Sequence, residues 1–176
     1  MIEALIFDFD GVVIDTETPD YQSWEEIFEA NDAELDRSLW QRTIGGHSGS
    51  FDVYRHLEEV VGARLNEDTI RQERRERYLD LISYEPVLPG VREYTEIARQ
   101  MGIKLGVASS STRDWVEGHL KDRGLVSFFE CIVTSEDADR VKPSPDLYLV
   151  ALARLSVSPE RAIAVEDSLN GLTAAK

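Results

Sequence analysis

Basic residues, cysteine and long apolar runs are all scarce in this sequence. Lys and Arg number 19 against 34 Asp and Glu among 176 residues, a formal charge of -15. That excludes a surface built to neutralise nucleic-acid phosphates or an anionic membrane, so any anion must be met by local cations. The single cysteine, Cys131, excludes an intrachain disulfide framework and a Cys-rich zinc site. Its setting, FFECIVTS, reads as strand and predicts a buried, inert thiol. No apolar run approaches the ~20 residues of a membrane span. The opening MIEALIFDF has no basic leader and carries Glu3 and Asp8, so neither a signal peptide nor a span is expected and a cytoplasmic protein is the reading. A Gly-Lys-Ser/Thr phosphate loop is missing. So is a G-x-S-x-G nucleophile elbow, since GGHSGS has Ser where the last Gly belongs.

What is present is an ordinary globular share of apolar residues, 42%, with 30% charged. Four short runs rich in Val, Ile and Phe, at residues 3–9, 103–109, 129–135 and 161–167, read as buried parallel strands. Helical patterns at 90–101, 112–123 and 145–156 alternate with them, and Val91, Tyr94, Ile97, Ala98 and Met101 are expected to share one stripe of the first. Strand alternating with helix predicts a doubly wound, Rossmann-like α/β sheet. The first crossover is far too long for one βαβ unit. The core is therefore assigned to residues 1–15 and 87–176, and residues 16–86 to an inserted all-helical module. Its helices are marked by Trp24, Ile27 and Phe28 and by patterns near 35–42, 50–61 and 66–83.

Ligands of open α/β sheets bind at the carboxyl ends of the strands. There the sequence places Asp8 and Asp10 followed by Gly11, then Ser109, Ser110, Ser111 and Thr112, then Lys142-Pro143, then Glu166-Asp167. Taken singly, these residues read as helix caps, turns and a solvated lysine. Together they are several acids that need a cation, and hard oxygen ligands of this kind select Mg²⁺. The free N–H groups of the helix after the serines are a further anion site.

In combination, DFDGVVIDT, the strand ending ASSS, KPSPD and the strand ending VEDS resemble, in order, the four motifs of the haloacid dehalogenase-like hydrolase superfamily. The insertion and the following LPGV resemble its helical-cap subgroup of phosphatases and sugar-phosphate mutases similar to β-phosphoglucomutase. The resemblance implies a Mg²⁺-dependent phosphatase acting on a small phosphorylated metabolite through an aspartyl-phosphate. It makes Asp8 the nucleophile and Asp10 the general acid/base. Mg²⁺ would be held by Asp8, the Asp10 carbonyl, Asp167 and Glu166. Ser109, the Ser110 N–H and Lys142 would grip the phosphoryl group. Residues 16–86 become a cap, with Gly46 and His47 in its substrate-specificity loop and Arg74 or Arg75 reaching the substrate.

Mutases of that subgroup carry a cap histidine and a phosphate-clamping arginine; Asp20 and Gly49 stand in their places here. The phosphatase reading is therefore preferred over the mutase alternative. A dehalogenase has no need of an acid at Asp10. A phospho-acceptor switch or binding module remains as the non-enzymatic alternative. The chain ends at Lys176, partway into the helix after the fourth motif, where the family continues with a further strand and helix, so a less covered sheet edge is expected.

Overall fold

The computed structural model describes residues 1–40 and 52–176. The elements run in the order β1 (Ala4–Phe7), α1 (Glu17–Ala30), α2 (Arg37–Trp40), α3 (Val53–Val61), α4 (Glu67–Ser83) and α5 (Val91–Gln100). They continue with β2 (Lys104–Ala108), α6 (Arg113–Asp122), β3 (Cys131–Val133), α7 (Asp146–Leu155), β4 (Ala162–Val165) and α8 (Leu169–Ala175). The chain divides into two compact units, one of Met1–Ile14 with Pro86–Lys176 and the other Asp15–Glu85.

In the first unit the strands form one four-stranded sheet in the order β3-β2-β1-β4, parallel at every pairing. This is the doubly wound α/β core expected from the sequence. Phe7 pairs with both Val107 and Val165, and Ala108 with Val133. The residues after these positions therefore leave the sheet along one edge. Side chains alternate between the faces of a strand. Ala4, Ile6, Ala108, Cys131 and Val133 pack with Leu147, Tyr148, Ala151 and Leu155 of α7, while Phe7, Leu105 and Val107 are buried without joining that cluster. Cys131 is buried, and burial pushes its thiol up to about 11, an unreactive setting.

Helix α5 departs from its expected stripe. Val91, Thr95 and Ala98 are its buried face, whereas Tyr94, Ile97 and Met101 are 64%, 52% and 68% exposed. Positions i, i+4 and i+7 stay aligned on a helix, and the other three, spaced i, i+3 and i+7, form the neighbouring stripe, which faces outward. The neutral Thr95 takes the sheet side by donating its hydroxyl to the Arg92 carbonyl.

Every element described in the second unit is helical. Trp24, Ile27 and Phe28 of α1 pack with Leu35, Trp40, Tyr54, Leu57 and Ile70. Helices α3 and α4 are capped by Asp52 and Asn66, whose side chains accept from the Arg55 and Thr69 amides. No helix among the described residues is long and apolar enough to cross a membrane.

Candidate functional site

The carboxyl edge of the sheet in the first unit brings two groups of polar side chains together, one around Asp8 and one around Asp10. Strand β1 is central, so Asp8 emerges between β2 and β4 with its amide bonded to the Val165 carbonyl. It is only 8% exposed. Its Oδ1 accepts from the Phe9 amide at 2.7 Å and lies 2.8 Å from Lys142 Nζ. The same ammonium reaches Glu166 Oε1 at 2.5 Å and sits over the Tyr148 ring. Tyr148 donates its hydroxyl to that same Oε1 at 2.6 Å.

Burial pushes the Asp8 carboxyl up to about 7; Lys142 works against the rise and Glu166 adds to it. Asp167 is raised as well, by burial and then by the Glu166 charge. Burial acts the same way on Glu166, but the hydrogen bonds from Lys142 and Tyr148 outweigh it and hold this carboxyl below its ordinary value. Glu166 is thus the settled anion, and Asp8 and Asp167 are the strained ones.

Ligand oxygens of Asp8, Glu166 and Asp167 lie within 4.8 Å of one another. Three carboxylates against one ammonium leave two negative charges, and the donors are all hard oxygens. This set fits a small divalent cation, which would supply the counter-charge that buried Asp8 and the more exposed Asp167 lack. Local packing depends on two glycines. Gly11 has φ +74°, and a Cβ there would run into the Asp167 carboxylate; a Cβ at Gly171 of α8 would run into Glu166.

Asp10 has a separate set of partners. Its Oδ2 accepts from Ser111 Oγ at 2.6 Å and from Ser109 Oγ at 3.3 Å, and its Oδ1 from Trp115 Nε1 at 3.0 Å. Ser109 is fully buried and its Oγ also accepts from the Ser111 amide; Ser110 is exposed. The start of α6 is less open to an anion than expected, because the Glu136 carboxylate already takes the Arg113 amide at 3.1 Å. A resident acid there makes that helix start a poor place for a second anion.

Asp8, Asp10, Ser109, Lys142, Glu166 and Asp167 thus all lie along this edge, with Ser110 beside them. Arg74 lies in the other unit on α4, paired with Asp20, donating to Ser23 Oγ at 3.1 Å and stacked over the Trp24 and Tyr78 rings. Its guanidinium is thus committed inside the helical unit. Arg75 is exposed. Gly46, His47 and Gly49 fall outside the described residues.

Three partners had no sequence signal strong enough to be singled out. Ser111 is one hydroxyl in a run of three serines, and Tyr148 and Trp115 are not singled out from the sequence. A polar-tipped aromatic in the first turn of a helix that follows a strand end is the signal that points to the last two, since a buried Tyr or Trp needs a partner for its O–H or N–H.

The haloacid dehalogenase-like hydrolase family model matches residues 5–176. The phosphatase-named protein YhcW of Bacillus subtilis (strain 168) is 48% identical over 176 residues, covering all of this chain and 80% of that protein. The phosphorylated carbohydrates phosphatase of Thermotoga maritima is 29% identical, covering 99% of this chain and 81% of its own. A crystal structure named as a β-phosphoglucomutase, also from Thermotoga maritima, superposes with a TM-score of 0.83 at 28% identity, over 99% of this chain and 80% of that one.

Proposed function

The chain belongs to the haloacid dehalogenase-like hydrolase family, and from that premise we propose that it is a Mg²⁺-dependent phosphatase of a small phosphorylated metabolite, working through an aspartyl-phosphate. The observation that carries the reading is the buried Asp8 carboxylate, paired with Lys142 and grouped with Glu166 and Asp167 at the end of the central strand. Asp8, Asp167, Glu166 and the Asp10 carbonyl would hold the metal. When bound, Mg²⁺ supplies positive charge that offsets the repulsion between an anionic nucleophile and an anionic phosphate.

An oxygen of Asp8 attacks phosphorus, the bond from phosphorus to the leaving oxygen breaks, and Asp10 gives that oxygen its proton. Ser109, the Ser110 N–H and Lys142 hold the transferring group meanwhile. Asp10, now a carboxylate, then takes a proton from water as the water oxygen attacks the same phosphorus. The Asp8–phosphorus bond breaks, and inorganic phosphate leaves. The helical unit is assigned the part of a cap that excludes bulk water and selects the substrate, in a cytoplasmic protein.

A mutase needs a second cationic clamp for the far phosphate of a bisphosphate. Asp20 occupies Arg74 inside the helical unit, which supports water as the acceptor. The relatives' printed names favour a sugar phosphate as substrate class. The test is a screen of phosphorylated metabolites for Mg²⁺-dependent phosphate release, with Asp8→Asn as the blank. β-Glucose 1-phosphate with a catalytic amount of the bisphosphate separates the two outcomes: phosphate release should exceed glucose 6-phosphate formation, and the reverse overturns the phosphatase reading.

A further inference from the structure

The reaction as written gives Trp115 no part, yet its geometry is specific. It lies in the first turn of α6, half-buried, with its Nε1–H on Asp10 Oδ1 at 3.0 Å while Ser111 Oγ holds Oδ2 at 2.6 Å. The ring is itself held: it meets His119 edge-on with centroids 4.2 Å apart, and His119 stacks on Phe9 at 6.2 Å. Phe9 is fully buried between the two aspartates. Rotation about the last bond of an aspartate is soft. A carboxylate with a separate donor on each oxygen loses that freedom.

We infer that Trp115 is a positioning residue, whose indole N–H keeps the Asp10 carboxyl turned toward the Ser109–Ser111 segment, where the phosphoryl group and its leaving oxygen are bound. The inference rests on the role given above to Asp10. An acid set in line with the leaving oxygen matters only when that oxygen needs a proton to depart. Phenyl phosphate has such a leaving group. 2,4-Dinitrophenyl phosphate is also an aryl ester, and its leaving group departs as a stable anion without a proton.

The test compares kcat/KM for these two probes with Mg²⁺ present, because kcat/KM ends at transfer to Asp8 and omits the later attack of water. Trp115→Phe keeps an aromatic ring on the His119 side and removes the N–H together with part of the indole's bulk, a packing loss that falls on both probes alike. It should lower kcat/KM about tenfold for phenyl phosphate and less than about twofold for the dinitrophenyl ester. Asp10→Asn should show the same selectivity, more strongly. Equal losses on both probes in Trp115→Phe, or no loss, overturn the inference. Asp10→Asn falling equally on both probes removes the acid role of Asp10, and this inference with it.

A second measurement needs no turnover. The chain has three tryptophans, so three indole N–H resonances are expected in a ¹⁵N spectrum, with that of Trp115 identified by its loss in Trp115→Phe. Asp10→Ala should move that resonance and leave the other two; an unmoved resonance overturns the contact.

Discussion

Replacing Asp8 by Asn should destroy activity and, in chelator at alkaline pH, make the protein more stable. Burial holds the Asp8 carboxyl up at about 7, well above the ~3.9 of an unfolded chain. A proton on Asp8 therefore favours the folded state. Its stabilising effect is fully present below the unfolded value and is lost as the pH rises through about 7. Each unit of displacement is worth ~1.4 kcal/mol, so the ionised carboxylate costs the folded chain up to about 4 kcal/mol at pH 8.

Asn keeps the acceptor for the Phe9 amide and removes the charge. It also deprives Lys142 of one of two counter-ions, although Glu166 remains at 2.5 Å, so about 2 kcal/mol of net gain is expected. For a chain of this length that is about 4–8 °C in Tm. The assay is thermal unfolding of both proteins in EDTA at pH 8 and pH 5.5. The advantage of Asp8→Asn should be present at pH 8 and close at pH 5.5, where the native Asp8 is already protonated. Saturating Mg²⁺ should reverse it at pH 8, because the native site alone keeps its full set of ligands. A variant less stable than the native chain at pH 8 in EDTA, or equally displaced at both pH values, refutes the account of Asp8.

Chelation should abolish phosphate release and Mg²⁺ restore it, while Ca²⁺, with looser and higher coordination, should inhibit; full turnover in EDTA contradicts the metal role. Lys142→Met leaves Asp8 and Glu166 buried without their cation and should cost about 3–5 kcal/mol in urea unfolding, along with activity. Tyr148→Phe removes one donor from Glu166 Oε1 and should cost about 1–2 kcal/mol in the same measurement. Gly11→Ala adds about 1–2 kcal/mol of left-handed strain and pushes on the Asp167 carboxylate, so Mg²⁺ binding by calorimetry should weaken by at least about tenfold; unchanged binding would show that Asp167 can move aside freely.

The sheet and the gathering of polar residues at its carboxyl edge were legible because they depend on local chemistry. The runs LIF, LGVA and CIV are largely buried, and a buried parallel strand has little room for polar residues; AIAV, expected to be buried as well, forms an edge strand that is only partly covered, with Ile163 46% exposed. Asp8, Asp10, Lys142, Glu166 and Asp167 interrupt or follow such runs, where burial of charge is costly, so they stood out. What joins two distant segments was not legible. The Glu136 carboxylate that fills the start of α6 comes from beyond β3, and the sequence around Arg113 contains nothing that announces it. The resemblance implies Arg74 or Arg75 as the residue reaching the substrate, but the pairing of Arg74 with Asp20 joins two helices of one unit. The stripe of α5 misled because apolar spacing is tolerant of rotation, and a threonine that satisfies its own hydroxyl can take a core position.

The two aspartates of the DxD pair sit two residues apart yet belong to different walls. Asp8 leans on Lys142, Glu166 and Tyr148, from the β3–α7 connection, the end of β4 and helix α7. Asp10 leans on Ser109, Ser111 and Trp115, from the end of β2 and the start of α6. Such an arrangement is modular. Substitutions around Asp8, the proposed nucleophile, need not disturb Asp10, the proposed proton donor, and changes at distant, unshared partners tend to add independently. Under the proposed mechanism, a lineage can therefore shift from labile to reluctant leaving groups by editing the β2–α6 wall alone, with Asp8 and its countercharge inherited intact.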